Sequence, residues 1–309
     1  MKEIVRSPLT FSNNVIEIGK INPEEIITIY SSYYNIDIRY YFNNIKEIVI
    51  LRCLDTQYMF YYPFETEGDE KYYESMGKFD WYYNPSRWEH KIALEIINEK
   101  DNVLEVGAGS GFFLKELKKK NNKVALGLEL NDKAIEEAKN IGIDLKKEFI
   151  QEHAKLHENE YDVVCSFQVL EHISHPFEFL NAQIKCLNPK GRIILGVPNN
   201  DSYMKDNKHP SKVLNMPPHH MGLWTLASLK SLENIFNIKL REVYYEPLIG
   251  GNVDIYLWNR VVKFFFGISI FAKIIWKLKL HNILRYFLLK RANKIRGNSM
   301  LVVFEKGID

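Results

Sequence analysis

The chain has 309 residues, an apolar share of 46%, a charged share of 26% and a formal net charge of +2. These are globular values, with room for one large domain or for a domain and a cap. Cys53, Cys165 and Cys186 are scattered with no C-x-x-C pair, which excludes a disulfide framework and a cysteine zinc cluster and suits a reducing cytoplasm. The opening MKEIVRSPLTF has no apolar run, so no signal peptide is expected.

Charge is unevenly placed. Between Ile255 and Arg296 there are ten Lys or Arg and no Asp or Glu, which leaves 31 basic against 39 acidic residues elsewhere. An acidic body argues against a nucleic-acid partner.

Residues 1–88 are crowded with aromatics, and IKEIVILRC and TQYMFYYPF predict two strands turning near Leu54 and Asp55. We read this as a small cap containing a β-hairpin. LRCLDTQYMFYYP resembles half of a zinc ribbon, but Cys53 stands alone, so a buried cysteine is expected there and no metal. KFDWYYNPSRWEHKIALEII then leads into the first helix of a second domain.

NVLEVGAGSGFFLKEL follows. Val103, Leu104 and Val106 suit a buried parallel strand, Gly107, Ala108, Gly109, Ser110 and Gly111 form a turn, and Phe112, Phe113, Leu114 and Leu117 continue as a helix. Glycines let a ligand lie against the backbone, and the helix N-terminus offers free N–H groups. A dinucleotide fingerprint needs its third glycine five residues after the first. Here Gly111 comes four after Gly107, and Phe112 fills the dinucleotide position. Glu105 would repel a pyrophosphate and attract an ammonium.

NNKVALGLELN predicts a second strand ending at Glu129, 22 positions after Gly107, where a carboxylate can accept hydrogen bonds from both hydroxyls of a ribose. Leu130 follows it, and Asn131 caps a helix that stops near Gly142. DLKKEFIQEHA predicts a third strand. YDVVCSFQVLEHISHP predicts a fourth, with Gln168 at its C-terminal end, where open α/β sheets place ligand contacts. Glu171 and His172 invite a metal or acid–base reading; a structural role in opening the next helix is preferred, and no metal is expected.

A helix through Phe177–Leu187 and the strand RIILGVPNN complete an alternation that describes a doubly wound sheet. The loop beyond Asn200 carries Pro217, Pro218, His219 and His220 over the open end of that sheet. Neutral imidazole suits proton removal from an attacking hydroxyl near neutrality; His220 is the preferred base and His219 its rival. Thr225 caps a helix, IKLREVYYEPL forms a sixth strand and GNSMLVVFEK a last one. The segment between them is cationic and amphipathic, with Phe264, Phe271, Ile274, Ile275 and Leu278 on one side. No 18-residue stretch of it is free of charge, so it is no membrane span. It either lies in an anionic membrane surface, covers the catalytic core or forms a homodimer contact.

LEVGAGSG, GLELN, YDVVCSFQVLEHI and PPHH together resemble the class I S-adenosylmethionine-dependent methyltransferases, in the broad group of quinone-biosynthesis and sugar methyltransferases. The likeness covers about residues 80–250 and the last strand. It implies an α/β Rossmann-like doubly wound sheet with an antiparallel last strand over 89–250 and 297–309, beside the cap (1–88) and a helical basic insertion (251–296). It implies S-adenosylmethionine as cofactor, held by Glu105, Gly107, Ala108, Gly109, Gly111, Glu129, Leu130 and Gln168. In that family an aromatic before the first helix closes over the methionine end, which points to Tyr82 or Tyr83. Residues after the third strand touch adenine there, which points to Gln151 or Glu152. The expected reaction is methylation of a small molecule or glycan, at a hydroxyl in preference to carbon. The expected location is the cytoplasm, with the insertion as the route to the inner membrane face. A dinucleotide oxidoreductase and a cofactor-binding scaffold without turnover are the alternatives.

Overall fold

The computed structural model describes residues 4–79, 81–82, 87–120, 125–202 and 208–308. Eleven strands in these residues form two sheets.

The first sheet belongs to the cap. Strands β1 (Val15–Ile21), β2 (Ile48–Cys53) and β3 (Met59–Tyr62) pair antiparallel, so the expected hairpin is β2–β3. Their inner faces bury Ile26, Tyr30, Ile38, Ile48 and Tyr72, with the Tyr30 and Tyr72 hydroxyls 2.6 Å apart. Cys53 is buried, as expected of a lone cysteine, with its sulfur 3.7 Å from the Thr10 hydroxyl.

Seven strands make the second sheet: β4 (Val103–Val106), β5 (Ala125–Leu128), β6 (Leu145–Lys146), β7 (Tyr161–Phe167), β8 (Leu187–Pro198), β10 (Ile238–Pro247) and β11 (Arg296–Lys306). Their order is β10-β11-β8-β7-β4-β5-β6. The pairs among β4 to β8 are parallel, and β11 runs antiparallel to both neighbours, one place in from the β10 edge. The reversal at β4, from which β5 and β7 leave to opposite sides, is where such sheets open a crevice at their C-terminal ends. Apolar residues cover both faces, in two clusters around Leu104, Val164 and Leu195 and around Val103, Val163 and Ile194.

Two expectations are altered. The third strand is only Leu145–Lys146, and the rest of DLKKEFIQEHA turns into the short helix Ile150–His153. The cap also draws a fourth strand, β9 (Gly222–Leu223), from beyond β8; it pairs with β3. Val213 and Met221 are buried in the cap core. The loop bearing the paired histidines is thereby fastened to the cap.

The insertion forms helices Asn252–Phe264, Ser269–Lys277 and His281–Leu289. They pack on one another through Val253, Leu257, Val261, Val262 and Ala272. Phe264, Phe271, Ile274 and Leu278 are exposed, whereas Ile275 turns into the packing between helices. Among the described residues no helix is long and apolar enough to cross a membrane.

Candidate functional site

One cavity of about 1450 Å³ lies across the C-terminal ends of β4, β5 and β7. A pocket for one drug-sized ligand is roughly 300–1,000 Å³, so this one has room for a nucleoside cofactor and a second molecule.

Its floor is the glycine turn. Gly107, Gly109 and Gly111 have φ of 74°, 52° and 73°, in the left-handed region that favours glycine. A Cβ on Gly107 would stand 2.5 Å from Val169, so the turn also needs the missing side chain. Gly107 and Ala108 donate their N–H groups to the Leu128 carbonyl at 2.9 and 3.0 Å, which seats the turn on the end of β5. Gly107, Ala108 and Gly109 line the cavity. Gly111 instead closes the turn, its N–H donated to the Ala108 carbonyl, and a Cβ there would stand 3.0 Å from Ile143 and 3.1 Å from Ala138.

Glu129 stands at the end of β5. Its carboxylate accepts N–H groups from Gly109 at 2.7 Å, Leu130 at 2.8 Å and Asn131 at 2.9 Å. Two carboxylate oxygens offer about four acceptor positions, so capacity remains for a ligand hydroxyl. Leu130 and Asn131 line the same wall, and the Asn131 side chain caps the next helix as expected.

Glu105 is 2% exposed in the middle of β4, and its Oε2 has no hydrogen-bond partner. Burial, reinforced by the charge of Glu129, raises its pKa well above the usual carboxylate range. An orphaned buried carboxyl beside a glycine turn fits an incoming ammonium and opposes a phosphate. With the acceptor position left at Glu129, these groups fit the methionine and ribose ends of S-adenosylmethionine.

Gln168 has φ of 56° at the end of β7, and its side-chain amide donates to Glu89 Oε1 at 2.7 Å. Gln151 lines the cavity beside Ile150. Glu152 turns outward, paired with Lys155 at 2.6 Å, so within that pair only Gln151 faces the crevice. Tyr82 lines the cavity, and Tyr83 lies outside the described residues.

The histidines also line the cavity. Gly68 of the cap donates its N–H to the Pro218 carbonyl at 2.8 Å, and Met221 donates to the Glu171 carbonyl at 2.8 Å, so His219 and His220 are held from both sides. The His219 Nδ1 lies 2.7 Å from the Leu214 carbonyl, and its Nε2 is 3.4 Å from the Tyr82 hydroxyl. The His220 Nδ1 lies 2.9 Å from Asn215 Oδ1, while Asn215 uses its own amide N–H on Asn200. The His172 Nδ1 lies 2.5 Å from the His219 carbonyl. Carbonyl oxygens accept only, so each Nδ1 carries the proton and each Nε2 keeps its lone pair. Burial lowers the His219 and His220 pKa values well below the usual imidazole range and His172 to about 4, so all three are neutral at pH 7.

Glu171 does not open the next helix; that helix begins at Pro176 after His175, without a side-chain cap. Glu171 is fully buried in the turn Leu170–His172, with neither carboxyl oxygen hydrogen-bonded, and burial pushes its pKa up to about 8. Its Oε1 is 3.9 Å from His172 Nε2 and 4.0 Å from His220 Nε2.

Sequence reasoning passed over three groups. Glu89 is buried and holds Gln168; Asn215 orients His220; Glu246 is buried in the cavity wall with an unpartnered Oε2 and a pKa raised by burial to about 7. The only available signal was local: an acidic residue within an aromatic strand, YYEP, or at the start of a core helix, WEHKIAL.

A family model described as a methyltransferase domain matches residues 81–240. The chain is 29% identical over 143 residues to the ubiquinone biosynthesis O-methyltransferase of Hydrogenovibrio crunogenus, an overlap of 44% of this chain and 58% of that protein. To the same-named protein of Sodalis glossinidius it is 26% identical, over 50% of this chain and 70% of the other. The match thus spans less than two thirds of the Hydrogenovibrio relative. Among solved structures, a chain from the complex of a methyltransferase activator and a methyltransferase of Haloferax volcanii shares the fold, with a TM-score of 0.50 and 16% identity over 72% of this chain and 90% of that one. The 81–240 match takes in the glycine turn, Glu129, Gln168 and the paired histidines, and the dinucleotide reading falls with it: this chain belongs to the methyltransferase-domain family, in its class I, S-adenosylmethionine-dependent form.

Proposed function

We propose that the protein methylates a hydroxyl of a small molecule, glycans included, with His220 as the base. The supporting observation is the neutral His220 Nε2 lone pair, without a hydrogen bond, in the wall of the cavity whose floor is the glycine turn. S-adenosylmethionine, when bound, supplies the electrophilic methyl group. Glu105 would receive the ammonium, Glu129 a ribose hydroxyl, and Gln151 would border the adenine. Tyr82 and the cap aromatics Tyr73 and Trp81 exclude water from the acceptor side, which favours transfer because charge is dispersed on the way to products. His220 takes the hydroxyl proton as the oxygen attacks; an acidic carbon could be deprotonated by the same lone pair. The test is a panel of phenols, quinols, sugars and lipid-linked sugars incubated with labelled cofactor. Label in a hydroxyl acceptor supports the reading, and tight cofactor binding with no acceptor in the panel favours a scaffold.

The insertion supports a second element of this reading, peripheral contact with an anionic membrane. Between Ile255 and Arg296 its ten basic and no acidic residues accompany exposed Phe264, Phe266, Ile270, Ile283 and Phe287, with Phe266 97% exposed. Each cation near such a surface contributes about 1 kcal/mol. Asn252, Asp254, Ile255 and Trp276 of the same helices also line the cavity, so a seated insertion opens the acceptor side toward lipid. On this reading the protein works in the cytoplasm against the inner membrane face. A homodimer through the same apolar surface is the competing outcome.

A further inference from the structure

We propose that His172, His219 and His220, together with Glu171, form a binding site for one late first-row divalent cation of the zinc type. The methyl-transfer reading needs one imidazole, and the structure gathers three. One ring nitrogen of each lies within 4.8 Å of the other two.

Three observations carry the site. First, every Nδ1 is tied to an oxygen acceptor: the His219 carbonyl for His172, the Leu214 carbonyl for His219, and Asn215 Oδ1 for His220. Protein zinc sites use this same arrangement, in which the outer acceptor fixes the tautomer and turns the other nitrogen to the metal. Second, all three rings line one cavity, and His219 and His220 are each only 7% exposed. Third, Glu171 is a fully buried carboxyl with no hydrogen bond to either oxygen, about 4 Å from two of the imidazole Nε2 atoms.

An unpartnered buried carboxyl is costly, and the imidazole lone pairs are poorly served: that of His220 has no hydrogen bond and that of His219 has a long 3.4 Å contact with the Tyr82 hydroxyl. One cation answers both: the carboxylate supplies charge and the imidazoles supply donors. Three nitrogens and an oxygen suit Zn2+ or a similar ion and do not suit Ca2+ or Mg2+, which take oxygen ligands. Zn–N bonds are about 2.0–2.1 Å, so binding would draw the rings inward, and His219 would give up its long contact with the Tyr82 hydroxyl. His172, His219, His220 and Glu171 all border the cavity, which gives an ion a route in. A bound ion would occupy the His220 Nε2 lone pair, so base catalysis by His220 belongs to the metal-free protein, and the metal site stands even if no methyl group is transferred.

Chelator-treated full-length protein titrated with Co2+, and then with Zn2+ in competition, tests this. The expected result is one Co2+ per chain, with the visible absorption of a low-coordinate nitrogen-ligated ion, displaced by Zn2+. His172→Ala and His220→Ala should each weaken binding at least about a hundredfold. Asn215→Ala, which frees a ligand without removing it, should weaken it by about 10–100-fold. His157→Ala, outside the cluster, should change nothing. Stabilisation by S-adenosylhomocysteine reports folding in each variant. Protein that binds S-adenosylhomocysteine but no Co2+ or Zn2+ overturns the site, as does Co2+ binding that survives the His172→Ala and His220→Ala pair. Co2+ binding without S-adenosylhomocysteine binding leaves the metal site standing and overturns the methyltransferase reading.

Discussion

The Glu129 carboxylate accepts the Gly109 N–H at 2.7 Å, joining the end of β5 to the middle of the glycine turn. The residue expected to grip a ribose therefore also sets the shape of the loop beneath it. Replacing Glu129 with Ala should weaken S-adenosylhomocysteine binding by about 1–3 kcal/mol, the cost of unpaired polar groups. Isothermal titration measures this, and an unchanged dissociation constant would remove Glu129 from the site.

Glu105 makes cofactor binding pH-dependent. Its folded pKa is raised by burial, so it holds a proton at pH values where an exposed carboxylate has none. An arriving ammonium favours the charged form, and affinity should rise with pH until the ammonium itself deprotonates. Binding at a pH where the free carboxyl still holds its proton should release that proton, visible as a dependence of the binding enthalpy on buffer ionisation heat. Glu105→Gln should abolish that dependence; if it persists, the proton comes from elsewhere.

His220→Ala should leave S-adenosylhomocysteine affinity intact, because no part of its ring contacts Glu105, Glu129 or the glycine turn. Turnover on the best acceptor should fall by about 10²–10⁴-fold, the usual share of general-base catalysis. Loss of both together would show a structural role.

Phe264→Glu with Phe266→Glu should abolish sedimentation with phosphatidylglycerol vesicles while S-adenosylhomocysteine binding stays. Wild type should bind phosphatidylglycerol and not phosphatidylcholine vesicles, and release as salt rises, since exposed charges are screened within about 8–10 Å. Equal binding to both lipids would contradict the electrostatic part. A dimer that dissociates in the double variant would assign the surface to a second copy.

Much of the catalytic sheet was legible because its signals are local. A buried strand running into Gly107–Gly111, and Glu129 closing the next strand, are fixed by short-range sequence. The third strand misled because Leu145–Lys146 pairs only with Gly127 and Leu128, after which Phe149 onward turns helical. The cap's fourth strand was illegible: Gly222 and Leu223 become a strand only against Phe60 and Met59, a pairing across more than 160 residues. The state of Glu171 was hidden for the same reason, since its isolation depends on Met221 and the histidine loop arriving from a distant part of the chain. The sequence reading raised a metal or acid–base role for Glu171 and His172 and preferred a structural one; only the fold brought His219 and His220 beside them.

Every role assigned to Glu105, Glu129 and His220 depends on S-adenosylmethionine binding in the crevice at β4 and β5. Calorimetric titration of the purified protein with S-adenosylhomocysteine and, separately, NADH addresses it most directly. One S-adenosylhomocysteine bound per chain, with no heat from NADH, is the predicted result. Saturable NADH binding with none for S-adenosylhomocysteine would contradict it.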